Sequence, residues 1–265
     1  MSLTFIGSIF ILTFFAGLAL LSFFWTPHDP TEFVTDLAFA PPGPGIWLGS
    51  DQLGRDVLSR LIDSTRLTLG MALTATFLAH LIGDALGIFA AVRGGVVDAV
   101  LSRAVDVVLV IPKIIIGLVV VAALGPSIPV VIGLAAVVYG AGVYRFARAL
   151  GRDLVSMDFI TVAKSRGEGH GWIVFGVILP HVIGPLASDF ALRMSFAILF
   201  LSAMGYIGLG VQPPDADWGK MAHEGMEGLS TNPWAAIAPA LAIALVSIAL
   251  NLLVDSVSGR KEGRG

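Results

Sequence analysis

The chain has 265 residues, 56% of them hydrophobic and 13% charged. Ordinary soluble domains carry about 25% charged residues, so this composition belongs to a polytopic membrane protein. A net charge of −3 with no basic stretch offers no nucleic-acid surface. The absence of cysteine excludes disulfides, thiolate metal sites and cysteine nucleophiles.

Six hydrophobic runs predict six membrane-spanning helices, at about 3–24, 67–92, 105–125, 128–147, 182–208 and 235–256. The fold class expected is all-α. The first run is uncharged, and Trp25-Thr-Pro-His-Asp-Pro30 follows it where a cleavable leader would end in small residues, so it is expected to be a retained span. Residues 26–46 are rich in Pro and Gly and predict irregular chain. From Trp47 to Ile62 the pattern predicts an amphipathic helix lying at the membrane surface before span two. Leu53, Val57, Leu58, Leu61 and Ile62 fall on one face; Arg55, Asp56, Ser59, Arg60 and Asp63 fall on the other, with Arg60 in water. The chain then divides into an N-terminal unit of residues 1–65, a five-helix core of 66–256 with a loop at 150–180, and a tail of 257–265.

Charges within apolar spans are costly and point to function. Span two carries His80 and Asp84, and span five carries Asp189 and Arg193. Each pair is four residues apart and therefore on one helix face. Span three carries Lys113 directly after Pro112, which removes a helix hydrogen bond and predicts a bend. These six residues are candidates either for the lining of a translocation path or for self-neutralised pairs inside the bundle. Gly70, Gly83 and Gly87 predict close helix packing along span two.

Between spans four and five stands Asp158-Phe-Ile-Thr-Val-Ala-Lys-Ser-Arg-Gly167, and Ile178-Leu179-Pro180 follows. It predicts a short helix over Phe159–Arg166, capped by Asp158 and ended by a left-handed Gly167. Phe159, Val162 and Ala163 share one face, and Lys164 and Arg166 place positive charge at the C-terminal end. A helix of about eight residues does not persist alone, so its apolar face must dock on the spans or on another protein. After span five, Gly208 and Gly210 allow a close turn and Pro213-Pro214 stops the helix.

Lys and Arg are concentrated in the 2–3 loop (Arg93, Arg103), around the 4–5 loop (Arg145, Arg148, Arg152, Lys164, Arg166) and in the tail (Arg260, Lys261, Arg264). The positive-inside rule then puts both termini and the 4–5 loop in the cytoplasm.

The segment at 158–180 resembles the cytoplasmic coupling loop of ABC importer permeases, whose usual pattern is Glu-Ala-Ala, three residues, Gly, and then Ile and Leu-Pro. Thr161-Val162-Ala163 stands where Glu-Ala-Ala is usual; Gly167, Ile178, Leu179 and Pro180 match. Two further runs, Leu48-Gly-Ser-Asp-Gln-Leu-Gly-Arg-Asp56 and Gly208-Leu-Gly-Val-Gln-Pro-Pro214 with Trp218-Gly219, resemble the dipeptide, oligopeptide and nickel branch, and more closely its second membrane subunit. The resemblance implies the type I importer permease fold in a bacterial cytoplasmic membrane. It implies a heterodimer with a second permease subunit, two cytoplasmic ABC ATPases, an extracytoplasmic substrate-binding protein and a lipid bilayer around the whole, with no nucleic acid. ATP and Mg would sit on the ATPases, and this chain would hold no cofactor, metal or catalytic residue. Asp158, Phe159, Thr161, Val162, Ala163, Lys164, Arg166, Gly167, Leu179 and Pro180 would form the ATPase-coupling element. The expected cargo is a di- or oligopeptide, with nickel or a metal chelate as the alternative.

The residues themselves agree with a transport subunit driven from outside. No Gly-x-x-x-x-Gly-Lys-Ser/Thr loop is present, and Gly167-Glu-Gly-His-Gly171 lacks both the Lys and a preceding strand. The five histidines form no metal-binding pattern. A proton-driven transporter using His80, Asp84 and Asp189 as a relay is the second class of function, and an intramembrane enzyme the third.

Overall fold

In the computed structural model residues 3–262 are described, except for the side chains of residues 3, 161, 164, 170 and 258–262. The chain is helical, and among the described residues only three isolated β-bridges occur, all in the loop of residues 33–56. Helix α1 (Leu3–Leu21) is followed by the long irregular loop and by α2 (Val57–Arg93), α3 (Gly95–Val110), α4 (Lys113–Leu124) and α5 (Ile128–Val155). The short α6 (Asp158–Ser165) and α7 (His170–Trp172) precede a π-helical stretch, Ile173–Ile178, that runs straight into α8 (Leu179–Tyr206). A short helix, α9 (Trp218–Gly225), and the last span, α10 (Trp234–Glu262), complete the order. Among the described residues five helices are long and apolar enough to cross a membrane, and the bent pair α3–α4 supplies a sixth crossing if it counts as one.

Small residues let the two central helices meet. A side-chain carbon on Gly83 would lie 2.8 Å from the Gly140 carbonyl oxygen, and one on Gly87 would lie 2.6 Å from that of Tyr144. Helix α2 therefore packs backbone to backbone on α5, as small residues allow within a bilayer. Gly70, expected to do the same, has open space around it. Around this seam Ala72, Ala75, Ala79, Ala135 and Val143 form one core with Ile198, Leu201 and Met204 of α8. A second cluster, with Ile88, Val92, Ala147, Ile178 and Val182, closes the opposite end.

Three expectations are corrected. The surface helix over 47–62 does not form. Gly49 and Gly54 take φ of +73° and +78°, and such residues end helices. Asp51 instead binds the backbone N–H of Leu53 and Arg55, and Asp56 caps α2 by accepting from the Ser59 N–H at 2.9 Å. Most of the expected polar side is buried too, alongside Val57 and Ile62 of the apolar side. Leu53 is exposed, whereas Arg55 and Arg60 are buried, Arg60 to 4% exposure. The second correction concerns span three. Pro112 bends it, as expected, but by 91°, so that α4 retains only 12 residues, or about 18 Å at 1.5 Å per residue. Third, span five begins earlier than expected, because the helix is continuous from His170 through the π stretch. Helix α10 likewise runs to Glu262, through most of the expected tail; Arg264 and the side chains of Arg260 and Lys261 lie outside the described residues.

Candidate coupling and translocation sites

Helix α6 uses both of its sides. Ile160 is fully buried and Ala163 nearly so, packed with Ile88, Val92, Ala147 and Ile178. Phe159 and Val162, expected to share one docked face with Ala163, are about half exposed at 45% and 58%. The helix is thus anchored to its own chain through Ile160, which the sequence reading passed over, and it presents a separate apolar surface outward. Asp158 is the first residue of α6, one place inside the expected cap, where its charge still suits the helix N-terminus. The C-terminal end closes as expected. Gly167 has φ +85°, and the Glu168 N–H reaches back to the Ala163 carbonyl at 3.2 Å, the six-to-one bond of a Schellman cap. Arg166 is exposed, and the side chains of Thr161 and Lys164 lie outside the described residues.

The connection from α6 to span five has an interrupted backbone ladder. In the π stretch the Leu179 N–H donates to Val174, five residues back. Pro180, next in line, has no N–H to donate, and Pro185 follows inside α8. The His181 ring bonds the Val177 carbonyl at 2.6 Å. Phe175 and Trp172 project outward beside this stretch.

The two expected charge pairs are one cluster. His80 Nδ1 lies 3.0 Å from Asp84 Oδ2, Arg193 Nε lies 3.2 Å from Asp189 Oδ2, and His80 Nε2 bridges toward Asp189 Oδ2 at 3.7 Å. The sequence supplied each pair by its i, i+4 spacing; the packing of α2 on α8 joins them. His80 and Asp189 are buried. His80 Nε2 and Asp84 Oδ1 have no hydrogen-bond partner among the described residues. The Arg193 guanidinium lies against Gly142 of α5, where a side-chain carbon would be 2.6 Å from Nη1. One turn away on α5, the Tyr139 ring receives Lys113 Nζ at 4.4 Å, and its hydroxyl donates to the Phe196 carbonyl. A cavity of about 920 Å³ between α2 and α7–α8 has His80, Asp84 and Phe190 in one part of its wall, and Ile88, Val174 and Phe175 in another. The His80–Asp84 side of the charge cluster and the π stretch therefore face the same space.

A further cluster, at the end of the bundle remote from α6, was absent from the expected sites. Arg60 Nη1 contacts both Asp51 Oδ2 and Glu224 Oε2, the latter at 2.9 Å, and Arg55 Nε reaches Asp51 Oδ2 at 2.7 Å. It ties the irregular loop before α2 to α9. Trp218, fully buried, stacks edge-on against Phe15, and Asn232 holds the Leu48 and Ser50 carbonyls. Asp217 caps α9 through the Lys220 N–H, and burial pushes its carboxyl above the ordinary carboxylate value. The local Asp51-Arg55 spacing was visible in the sequence, but Glu224 is 164 residues from Arg60.

Comparison with known proteins matches residues 83–262 to the family described as binding-protein-dependent transport system inner membrane component. That span contains α6, the π stretch, α8 and Asp84. The chain is 33% identical over 258 residues to the dipeptide transport system permease protein DppC of Haemophilus influenzae, covering 95% of this chain and 87% of the relative. Similarity extends to the glutathione transport system permease protein GsiD of Pectobacterium atrosepticum (31% identity, covering 88% of this chain and 79% of the relative). It extends also to the nickel transport system permease protein NikC of Escherichia coli (30% identity, covering 94% and 90%).

Proposed function

Since the chain belongs to the family of binding-protein-dependent transport system inner membrane components, we propose that it forms half of an ATP-driven import path for di- or oligopeptides. It is a multi-pass membrane permease, and the proton-driven and enzymatic readings give way to that membership. In the proposed assembly a second, similar permease supplies the other half of the path. Two cytoplasmic ATPases bind ATP and Mg, and an extracytoplasmic binding protein delivers the solute. Both termini and α6 face the cytoplasm, following the Lys and Arg distribution.

The observation that carries this reading is the two-sided packing of α6. Ile160 fixes the helix to the bundle while Phe159 and Val162 remain exposed, which suits an element that takes a push from a partner and passes it to its own chain. The push would travel through the π stretch into α8, which carries Asp189 and Arg193 beside the path. Asp158, Thr161, Lys164, Arg166, Leu179 and Pro180 belong to this coupling element; His80, Asp84, Pro112 and Lys113 belong to the path. The cargo follows the relatives named for peptides, and the relative named for nickel supports a metal or metal chelate as the second reading.

The test uses the complete importer in proteoliposomes. Phe159→Asp together with Val162→Asp leaves Ile160 in place. The assembled variant is expected to lose ATPase association or peptide-stimulated hydrolysis while its membrane insertion survives. Wild-type coupling of hydrolysis to uptake in that variant would remove α6 from the role. Uptake of labelled nickel in preference to labelled dipeptide would decide for the second cargo.

A further inference from the structure

Helix α3 and the second half of α5 enclose a cavity of about 740 Å³ whose wall carries four arginines, Arg103, Arg145, Arg148 and Arg152, against Asp98 and Asp106. Asp98 is buried and already committed: both of its oxygens take Arg148, and Arg152 Nη2 joins at 2.6 Å. This clamp fixes α3 on α5 and holds the cavity open. The hydroxyls of Ser102 and Tyr144 meet at 3.1 Å in the same wall. Arg103 and Arg145 are exposed and have no ion pair among the described residues. With four arginines against two carboxylates the cavity keeps a positive excess, and the forked guanidinium donors match the oxygens of a phosphate.

The other side of α3 indicates where such a phosphate comes from. Val96, Val100, Val107 and Val110 are all exposed and share one helical face with Arg103, opposite Asp98 and Ser102. Helix α3 thus has an apolar face for acyl chains, from which the long Arg103 side chain reaches the cavity wall, and an opposite face carrying Asp98 and Ser102, an arrangement suited to the lipid headgroup level. The cavity lies beside the end of α5 that leads into α6, the cytoplasmic end under the proposed orientation.

We propose that this cavity binds the phosphodiester of an anionic phospholipid of the cytoplasmic leaflet, held by Arg103 and Arg145. The bound lipid bridges α3 and α5 next to the bend at Pro112, so the lipid composition of the inner leaflet acts on the bent helix pair. The inference rests on the orientation given above. That orientation has its own readout: a cysteine at Arg166 should be labelled from the cytoplasmic side and one at Asp215 from the outer side.

The experiment takes the assembled importer equilibrated with phosphatidylcholine vesicles containing phosphatidylglycerol, extracts it, and measures phosphatidylglycerol retained per complex by mass spectrometry. Wild type is expected to retain it. Arg103→Gln with Arg145→Gln should lower retention by roughly tenfold or more, as the loss of two cations at an anionic surface implies. Arg93→Gln, which removes a cation outside this cavity, should leave it unchanged. Arg145→Gln alone keeps Arg103 and serves as the milder variant if the double one assembles poorly; it should give an intermediate loss. Equal retention by the Arg145 and wild-type complexes overturns the proposal. Displacement of the lipid by inorganic phosphate alone makes the cavity a free-phosphate site and overturns its assignment to lipid. A cysteine at Arg145 that stays unreactive in the delipidated complex means that another subunit covers the cavity, and this also overturns it.

Discussion

Arg60 shows how far a residue's role depends on partners distant in sequence. Read as part of a local helical pattern it faces water; in the fold it is shared by Asp51 and Glu224 in a nearly dry setting. Removing one member of a buried ion cluster strands the others, at a cost of about 3–5 kcal/mol. Arg60→Ala is therefore expected to be as destabilising as Asp189→Ala, the reverse of what exposure at the surface would give. Thermal inactivation of the two variants in detergent measures it, and near-wild-type stability for Arg60→Ala would show that its carboxylate partners are hydrated. Asp217 supplies a pH test. Burial raises its carboxyl in the folded protein above the ordinary 3.8, so the native state holds that proton more tightly than the unfolded chain. Its contribution is thus most favourable at low pH and falls as pH rises from about 3.8 through the raised value. Asp217→Asn cannot lose that proton. Its stability relative to wild type should improve across that window, whatever its absolute level, and a difference constant with pH would contradict the assignment.

Among elements, those made by local rules were legible. The Gly167 ending of α6, the bend at Pro112 and the two i, i+4 charge pairs all follow from spacing within a few residues. The meeting of His80 with Asp189 was not legible, because it is decided by how α2 lies on α8. Nor was the choice of Ile160 over Phe159 as the buried anchor, since both fit an apolar face and only the neighbouring Val92, Ala147 and Ile178 discriminate between them. The surface helix failed for a local reason that was open to view: Gly49 and Gly54 interrupt it. Glycines separate by the same physics. A side chain on Gly87 would strike the Tyr144 carbonyl and the Arg148 amide, whereas one on Gly167 meets nothing within 4 Å. Gly87→Val should destabilise the bundle by about 1–3 kcal/mol through overpacking. Gly167→Ala should cost only about 1–2 kcal/mol, from its left-handed backbone, and should spare membrane insertion. Gly70→Ala should be silent. Urea or heat unfolding of the three variants ranks them, and a Gly87→Val protein as stable as wild type would mean that α2 and α5 are not in backbone contact.

At the scale of the molecule the two ends are fastened by different means. The end remote from α6 is held by the Arg60 ion cluster, the buried Trp218 and the Asn232 clamp; the other end by the apolar cluster around Ile160 and by the Asp98 clamp. Between them the helix from His170 to Tyr206 has the widened π turn, then Pro180 and Pro185, so several carbonyls lack a partner along the helix. Amides in such a stretch open by local fluctuation rather than by global unfolding. Hydrogen–deuterium exchange should therefore find a fast-exchanging window at about residues 173–186, between slow blocks in α2, α5 and the upper part of α8. Uniform protection along the whole helix would contradict this. If the window is present, the continuous helix from His170 to Tyr206 behaves as two stiff rods with a compliant joint. A displacement of α6 would then set the tilt of the upper rod without unpacking it, and stiffening the joint with Pro180→Ala should leave ATP hydrolysis running while less solute crosses per turnover.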